Sequence, residues 1–212
     1  MTLRLFFIRH GETTFSQSGG YCGILDVDLT DSGRAMAQAF ADTYAPYSWQ
    51  AIYCSPMKRT RATARPMVEA TGLEPQIREG LREADFGEWE GKSKVEVDEL
   101  QGKDFHRWMT EPAWNPPTGG ETAVQIASRA MEVIAEIEEN HKEGNVLVVS
   151  HKTTLRIILC SLLGIDLGRY RDRLDYPAAS LSIVRFGPYG PLLERMGDRS
   201  YMPQELRDRE GS

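Results

Sequence analysis

Apolar residues come in short, separated blocks along this chain. Residues 3–8 (Leu-Arg-Leu-Phe-Phe-Ile) have the length of a buried strand and stop abruptly at Arg9-His10-Gly11-Glu12-Thr13. Residues 51–54 and 146–149 repeat the pattern and end at Ser55-Pro56 and Ser150-His151. A short strand is predicted at 76–78 and a late one at 181–186, and Leu192-Leu193 starts another after the Gly187-Pro188 turn. Helical spacing lies between these blocks. Thr30 or Asp31 caps a helix with Met36, Ala39, Phe40 and Thr43 on one face. A second helix spans 57–70 and is closed by Gly72. A third spans 121–140 with Val124, Ala127, Met131 and Ile134 as its apolar face, and a fourth spans 155–163. Residues 18–23 read as a loop, and residues 80–120, with Trp89, Trp108 and Trp114 among Gly and Pro, as irregular short helices and loops.

Strands alternating with helices predict an α/β fold, a three-layer sandwich with a mostly parallel central sheet flanked by helices. One domain is expected over 1–202, followed by a polar, mobile tail over 203–212. In such sheets a ligand lies beyond the carboxyl ends of the strands. Three strands here end in Arg9-His10, Ser55-Pro56 and Ser150-His151, so neighbouring ends would place two histidines and several cations in one pocket.

Composition narrows the function. The 212 residues suit one domain, and 41% hydrophobic and 26% charged residues are ordinary for a globular chain. A net charge of −6 argues against a nucleic-acid binder held by bulk charge, while leaving room for a local basic pocket. No apolar run approaches the roughly 18 residues of a membrane span, and the first block is too short for a signal peptide core. Three cysteines without metal-like spacing argue against a disulfide scaffold. The expectation is a cytoplasmic protein with no nucleic-acid or membrane partner.

Four segments carry chemistry. His10, directly after a strand, suits a neutral imidazole nucleophile toward phosphorus, and Arg9 suits the phosphate oxygens. An isolated Arg-His-Gly would read as a surface loop, but the five-residue string after a strand is far more specific. Residues 55–63 put Lys58, Arg59 and Arg61 into the first turn of a helix, where anions are favoured, and Arg59 can point back to the pocket. A solvated basic face is the competing reading. Residues 81–91 hold Glu83, Asp85, Glu88 and Glu90 around aromatic residues, and one such acid kept from water would serve as a general acid. Chemistry alone does not choose among the four. His151, if cationic, would stabilise a phosphoryl group in transfer.

Taken in order, these segments resemble the histidine phosphatase superfamily, the phosphoglycerate mutase-like family. The resemblance rests on residues 9–13, Leu25-Asp26, Leu29-Thr30, Gly33, residues 55–63, residues 83–91, Gly119-Gly120-Glu121 and residues 148–151, nearly the whole chain. It implies that His10 becomes phosphohistidine, that Arg9, Arg59 and His151 complete the phosphate pocket, and that Glu83 is the proton donor and later the base for water. Three places depart from the family's usual pattern. Ser16 stands where an Asn is frequent, Cys22 where a Gln is common, and Lys152-Thr153 where Gly-Gly is frequent. Ser16, Cys22 and Gly23 are expected to contact substrate. Family mutases resemble a longer chain, whereas here only residues 92–118 separate the glutamate segment from Gly119, so hydrolysis is expected over transfer. The short members it resembles most are metal-independent phosphoserine phosphatases. Related members act on α-ribazole phosphate or sugar phosphates.

The expected partner is a small phosphorylated metabolite, L-phosphoserine first, with neither metal nor cofactor, and a homodimer is admitted. Donors beside Gly19, Gly20 and Gly23 are expected to receive the substrate's carboxylate. Two other classes compete. Residues 26–30 match the D-x-D-x-T of aspartate-nucleophile, magnesium-dependent phosphatases, although a loop rather than a strand precedes them. A non-catalytic phosphate-binding module is the other.

Overall fold

A computed structural model describes residues 2–209. In chain order the elements are β1 (Leu3–Arg9), α1 (Thr14–Ser18), α2 (Asp31–Tyr44), β2 (Trp49–Cys54), α3 (Lys58–Thr71), β3 (Pro75–Ile77), α4 (Lys94–Thr110), α5 (Ala123–Asn140), β4 (Gly144–Ser150), α6 (Lys152–Leu163), α7 (Tyr170–Arg173), β5 (Leu181–Gly187), β6 (Gly190–Asp198) and α8 (Gln204–Arg207).

The strands form one sheet in the order β3-β2-β4-β1-β5-β6. β3, β2, β4 and β1 run parallel to their neighbours, whereas β5 is antiparallel to β1 and β6 to β5, so the sheet is mixed with a parallel half. Successive side chains of a strand point to opposite faces. On β1, Leu5 and Phe7 join Tyr53, Val148, Ile134 and Leu155 under α5 and α6. Phe6 and Ile8 join Ile52, Val149, Phe40 and Met67 under α2 and α3. With both faces covered, the central strands are apolar without alternation, which is why they read as continuous runs. The α/β sandwich expected from the pattern is the architecture found.

Three expectations need correction. Within residues 80–120, α4 is a 17-residue helix, opened by a capping box between Ser93 and Glu96 and kinked at Gln101. Only Val97 and Trp108 of this helix are buried, so its apolar stripe is too thin to read as a period. The buried face of α2 is Met36, Ala37, Phe40, Ala41 and Tyr44, while Thr43 is exposed. Tyr44 packs edge-on against Phe6 of the sheet and tilts against Phe40, which rotates the stripe toward it. On α5 the centre is Ile126, Ala130, Val133, Ile134 and Ile137, and Ala127 and Met131 lie at its border. Two overlapping apolar stripes share that helix, and packing on the sheet selects one.

Within the segment expected as a tail, α8 forms one helical turn and the Arg209 Nε donates to Glu12 Oε2 at 2.7 Å. Residues 210–212 of that segment lie outside the described residues. Among the described residues no helix is long and apolar enough to cross a membrane.

Candidate active site

The parallel half of the sheet brings the polar strand ends together. Arg9 of β1 pairs in register with Ser150 of β4. Beyond that pair, the His10 N–H donates to the Ser150 carbonyl at 3.0 Å and the Ser55 N–H to the Val149 carbonyl at 3.1 Å. The histidine after β1 and the one after β4 therefore meet, with ring centroids 5.3 Å apart.

Both rings are buried, and their partners fix the protons. The His10 Nδ1 lies 2.7 Å from the Gly11 carbonyl. A carbonyl only accepts, so Nδ1 carries the proton and Nε2 keeps its lone pair. For His151, the Arg59 Nε donates to Nδ1 at 3.2 Å, so Nε2 carries the proton and gives it to Ser55 Oγ at 2.8 Å. Burial first, then the Arg59 charge, holds both histidines well below the ordinary imidazole range, and Arg9 adds to this. His151 is thus neutral here, so the cationic form considered from the sequence needs an anion beside it. A phosphate dianion beside it would favour its proton.

Arg9 donates from Nη1 to the Tyr176 carbonyl at 2.8 Å. Burial lowers its pKa to about 9 against the pull of Glu83, which leaves it charged at neutral pH. Arg59, at the start of α3, also donates to the Leu25 and Gly23 carbonyls at 2.7 and 2.8 Å, so one guanidinium joins His151 to the loop after α1.

Glu83 is buried at the start of α6, in a cavity that Phe86, Trp108 and Tyr170 also line. Its Oε1 accepts from the N–H groups of Ala84 and Thr154 at 2.9 and 3.2 Å, and its Oε2 from Thr153 N–H at 3.1 Å. Oε2 thus has one N–H donor and Oε1 has two. The competing acids are occupied elsewhere. Asp85 accepts from Gly87 N–H, Glu88 from Gln101 Nε2, and Glu90 from the N–H groups of Gly23, Ile24, Leu25 and Phe86. Tyr21, Trp89 and Trp108 also pack on one another, and Tyr21 and Trp108 line the cavity.

The loop contacts expected for substrate are arranged differently. Ser16 and Cys22 line the cavity. The Ser16 hydroxyl, however, takes part in the capping box of α1 with Thr13, and burial raises the Cys22 thiol to about 11. The Gly23 N–H is spent on Glu90, and a Cβ at Gly23 would stand 1.9 Å from the Ala84 carbonyl. Of the donors foreseen for a substrate's carboxylate, the Gly23 N–H is taken by the protein's own Glu90 and the Gly19 N–H by the Phe15 carbonyl, while Gly20 still lines the cavity. Asp26 and Thr30 cap α3 and α2, which makes the D-x-D-x-T string a turn between helices. Among the described residues no three metal-ligating side chains come together.

The cavity measures about 300 Å³, at the small end for ligand sites. Arg9, His10, Arg59 and Glu83 line it together with Lys94, Lys152, Arg156 and Arg171. Sequence reading left Lys152 undecided and missed the other three. Lys152 and Arg156 stand four apart on the helix that begins after His151, a spacing that shares one face and was the available signal. Arg171 offered none. Burial, then Arg9 and Arg156, lowers Lys152 to about 7.

Comparison with known proteins agrees with this geometry. Phosphoserine phosphatase 1 of Hydrogenobacter thermophilus is 35% identical over 168 residues, covering 79% of this chain and 80% of its own. The adenosylcobalamin/alpha-ribazole phosphatase of Escherichia coli is 31% identical over 162 residues, covering 76% and 80%. The solved structure of YhfR from Bacillus stearothermophilus superposes with a TM-score of 0.89 at 25% identity, covering 95% of this chain and all of that one. The model of the histidine phosphatase superfamily, branch 1, matches residues 5–199. With its strand-end histidines, buried arginines and single cavity-lining carboxylate in that order, the chain belongs to the histidine phosphatase superfamily and is a phosphatase.

Proposed function

We propose that this protein hydrolyses a small phosphomonoester through a phosphohistidine on His10, without a metal ion. The observation that carries the reading is the free Nε2 of His10, whose other nitrogen is tied to the Gly11 carbonyl. Arg9 and Arg59 neutralise the phosphate oxygens. The His10 Nε2 attacks phosphorus as the ester oxygen departs, and Glu83 gives that oxygen its proton. The Gly11 carbonyl steadies the positive ring that results. In the second half a water attacks phosphorus, Glu83 takes the water's proton, the P–N bond breaks, and His10 is neutral again. A bound phosphate favours a proton on His151 Nδ1, which then donates to a phosphate oxygen in place of accepting from Arg59. The 300 Å³ cavity supports a short substrate, and L-phosphoserine or a similar phosphorylated carboxylate is the first choice. The relatives' names point to different phosphate esters, so the family alone leaves this choice to the cavity.

His10→Ala tests the mechanism. Activity should fall by several orders of magnitude, and the acid-labile phosphoenzyme formed with substrate should vanish. Labelling that persists in this variant overturns the assignment.

A further inference from the structure

Among the described residues, six cationic side chains and a single carboxylate, Glu83, line the cavity. Arg9 and Arg59 belong to the phosphate end, which leaves Lys94, Lys152, Arg156 and Arg171 without a task in the chemistry. Buried polar atoms nearly always have a partner, and exceptions call for a reason. Among the described residues five buried side-chain nitrogen or oxygen atoms have none, and four belong to residues that line this cavity: Arg9 Nε, Tyr21 Oη, Arg156 Nε and Arg171 Nη1. Arg156 has only a long contact to Asp175, at 3.6 Å, whose carboxylate is mostly in solvent. Arg171 lies over the Trp108 ring, 3.5 Å from its centroid, which fixes the plane of its guanidinium. Half-buried cations short of anions are costly unless a ligand supplies the missing charge.

We propose that Arg156 and Arg171, with the Tyr21 hydroxyl, form a second anion subsite that receives a carboxylate of the substrate. This rests on the phosphatase reading above and assigns the other end of the same ligand. It moves the carboxylate receptor from the Gly-rich loop, where the Gly23 and Gly19 N–H groups are already engaged, to α6 and α7. The planar guanidinium forks match a carboxylate in geometry as well as charge.

The test is a ratio of kcat/KM values within matched pairs. L-Phosphoserine is compared with O-phosphoethanolamine, and 3-phosphoglycerate with glycerol 3-phosphate, the carboxylate being the difference in each. In the native enzyme the carboxylate member should be preferred by at least about tenfold in both pairs. Arg156→Gln and Arg171→Gln should each shrink that ratio by about 10- to 100-fold, and Arg156→Lys should restore part of it. A native ratio near one, or a ratio that neither variant changes, overturns the subsite while leaving the phosphohistidine intact. A tenfold preference for glycerol 1,3-bisphosphate over both carboxylates would assign the subsite to a second phosphate instead. Absence of phosphate release from every ester would count against the phosphatase reading alone. In that event thermal stabilisation by 2-amino-4-phosphonobutyrate against 3-aminopropylphosphonate still decides the subsite, equal shifts refuting it.

Discussion

His10 donates through Nδ1 to the Gly11 carbonyl, and its ring is buried beside two arginines. Those two circumstances keep Nε2 unprotonated at neutral pH, the state a nucleophile needs. Glu83 has a different task, and its test lies in the leaving group. A phenoxide departs with little protonation, whereas an alkoxide does not. Glu83→Gln should therefore lower kcat/KM on an alkyl phosphate by about 10²–10⁴-fold and on p-nitrophenyl phosphate by much less. Equal losses on both would leave Glu83 only a structural role. In the proposed mechanism Arg9 and Arg59 supply the positive charge that a metal ion would otherwise supply. Exhaustive chelation should leave activity unchanged, and a loss restored by magnesium would return the aspartate-nucleophile reading.

At the scale of elements, the first turn of α6 does several jobs. His151 is its N-cap, Thr153 and Thr154 hold Glu83 through their N–H groups, and Lys152 and Arg156 line the cavity. The loop after α1 is organised from the other side. Glu90 gathers the N–H groups of Gly23, Ile24 and Leu25, and Arg59 gathers the carbonyls of Gly23 and Leu25. A carboxylate and a guanidinium thus clamp one stretch of backbone, and the guanidinium also reaches His151. Glu90→Ala strands four N–H donors and should cost about 1–3 kcal/mol of stability. Because Arg59 depends on that backbone, KM for every phosphate ester should rise as well. Glu90→Gln, which still accepts, should recover part of both. Thermal unfolding and steady-state kinetics check this, and an unchanged midpoint with unchanged KM would refute the clamp.

Across the whole molecule, burying two neutral histidines ties stability to pH. The folded protein keeps His10 and His151 unprotonated well below the ordinary imidazole range, by burial first and Arg59 second. The unfolded chain protonates both near pH 6.5. Below that pH the unfolded state binds more protons, so stability is lost as pH falls, by up to about 1.4 kcal/mol per pH unit for each histidine. Urea unfolding at pH 7.5, 6.5 and 5.5 should show a falling midpoint, steepest over the last interval. A midpoint that stays flat between pH 6.5 and 5.5 would mean that the rings titrate normally.

The sequence by itself determined the layered α/β architecture, the strand ends that carry Arg9-His10 and Ser150-His151, and the place of Arg59 in a first helical turn. These were legible because each is local: a buried strand declares itself by an apolar run, and polar residues directly beyond it can only sit at its end. Likeness of motif chose Glu83 from four acids that chemistry left equal. Only the tertiary structure decided what those acids do, since each role depends on which distant N–H groups reach the carboxyl, Thr153 and Thr154 for Glu83 and the loop after α1 for Glu90. It also decided that α4 is a helix although its sequence shows little period, because Trp108 anchors it in an aromatic cluster built with Tyr21 and Trp89. Of the cations on α6 and α7, Lys152 and Arg156 left only the signal of their shared helical face after His151, and Arg171 entered the cavity through packing alone. Arg171 is an ordinary surface residue by type, and only the folded position of α7 places it in the cavity with His10.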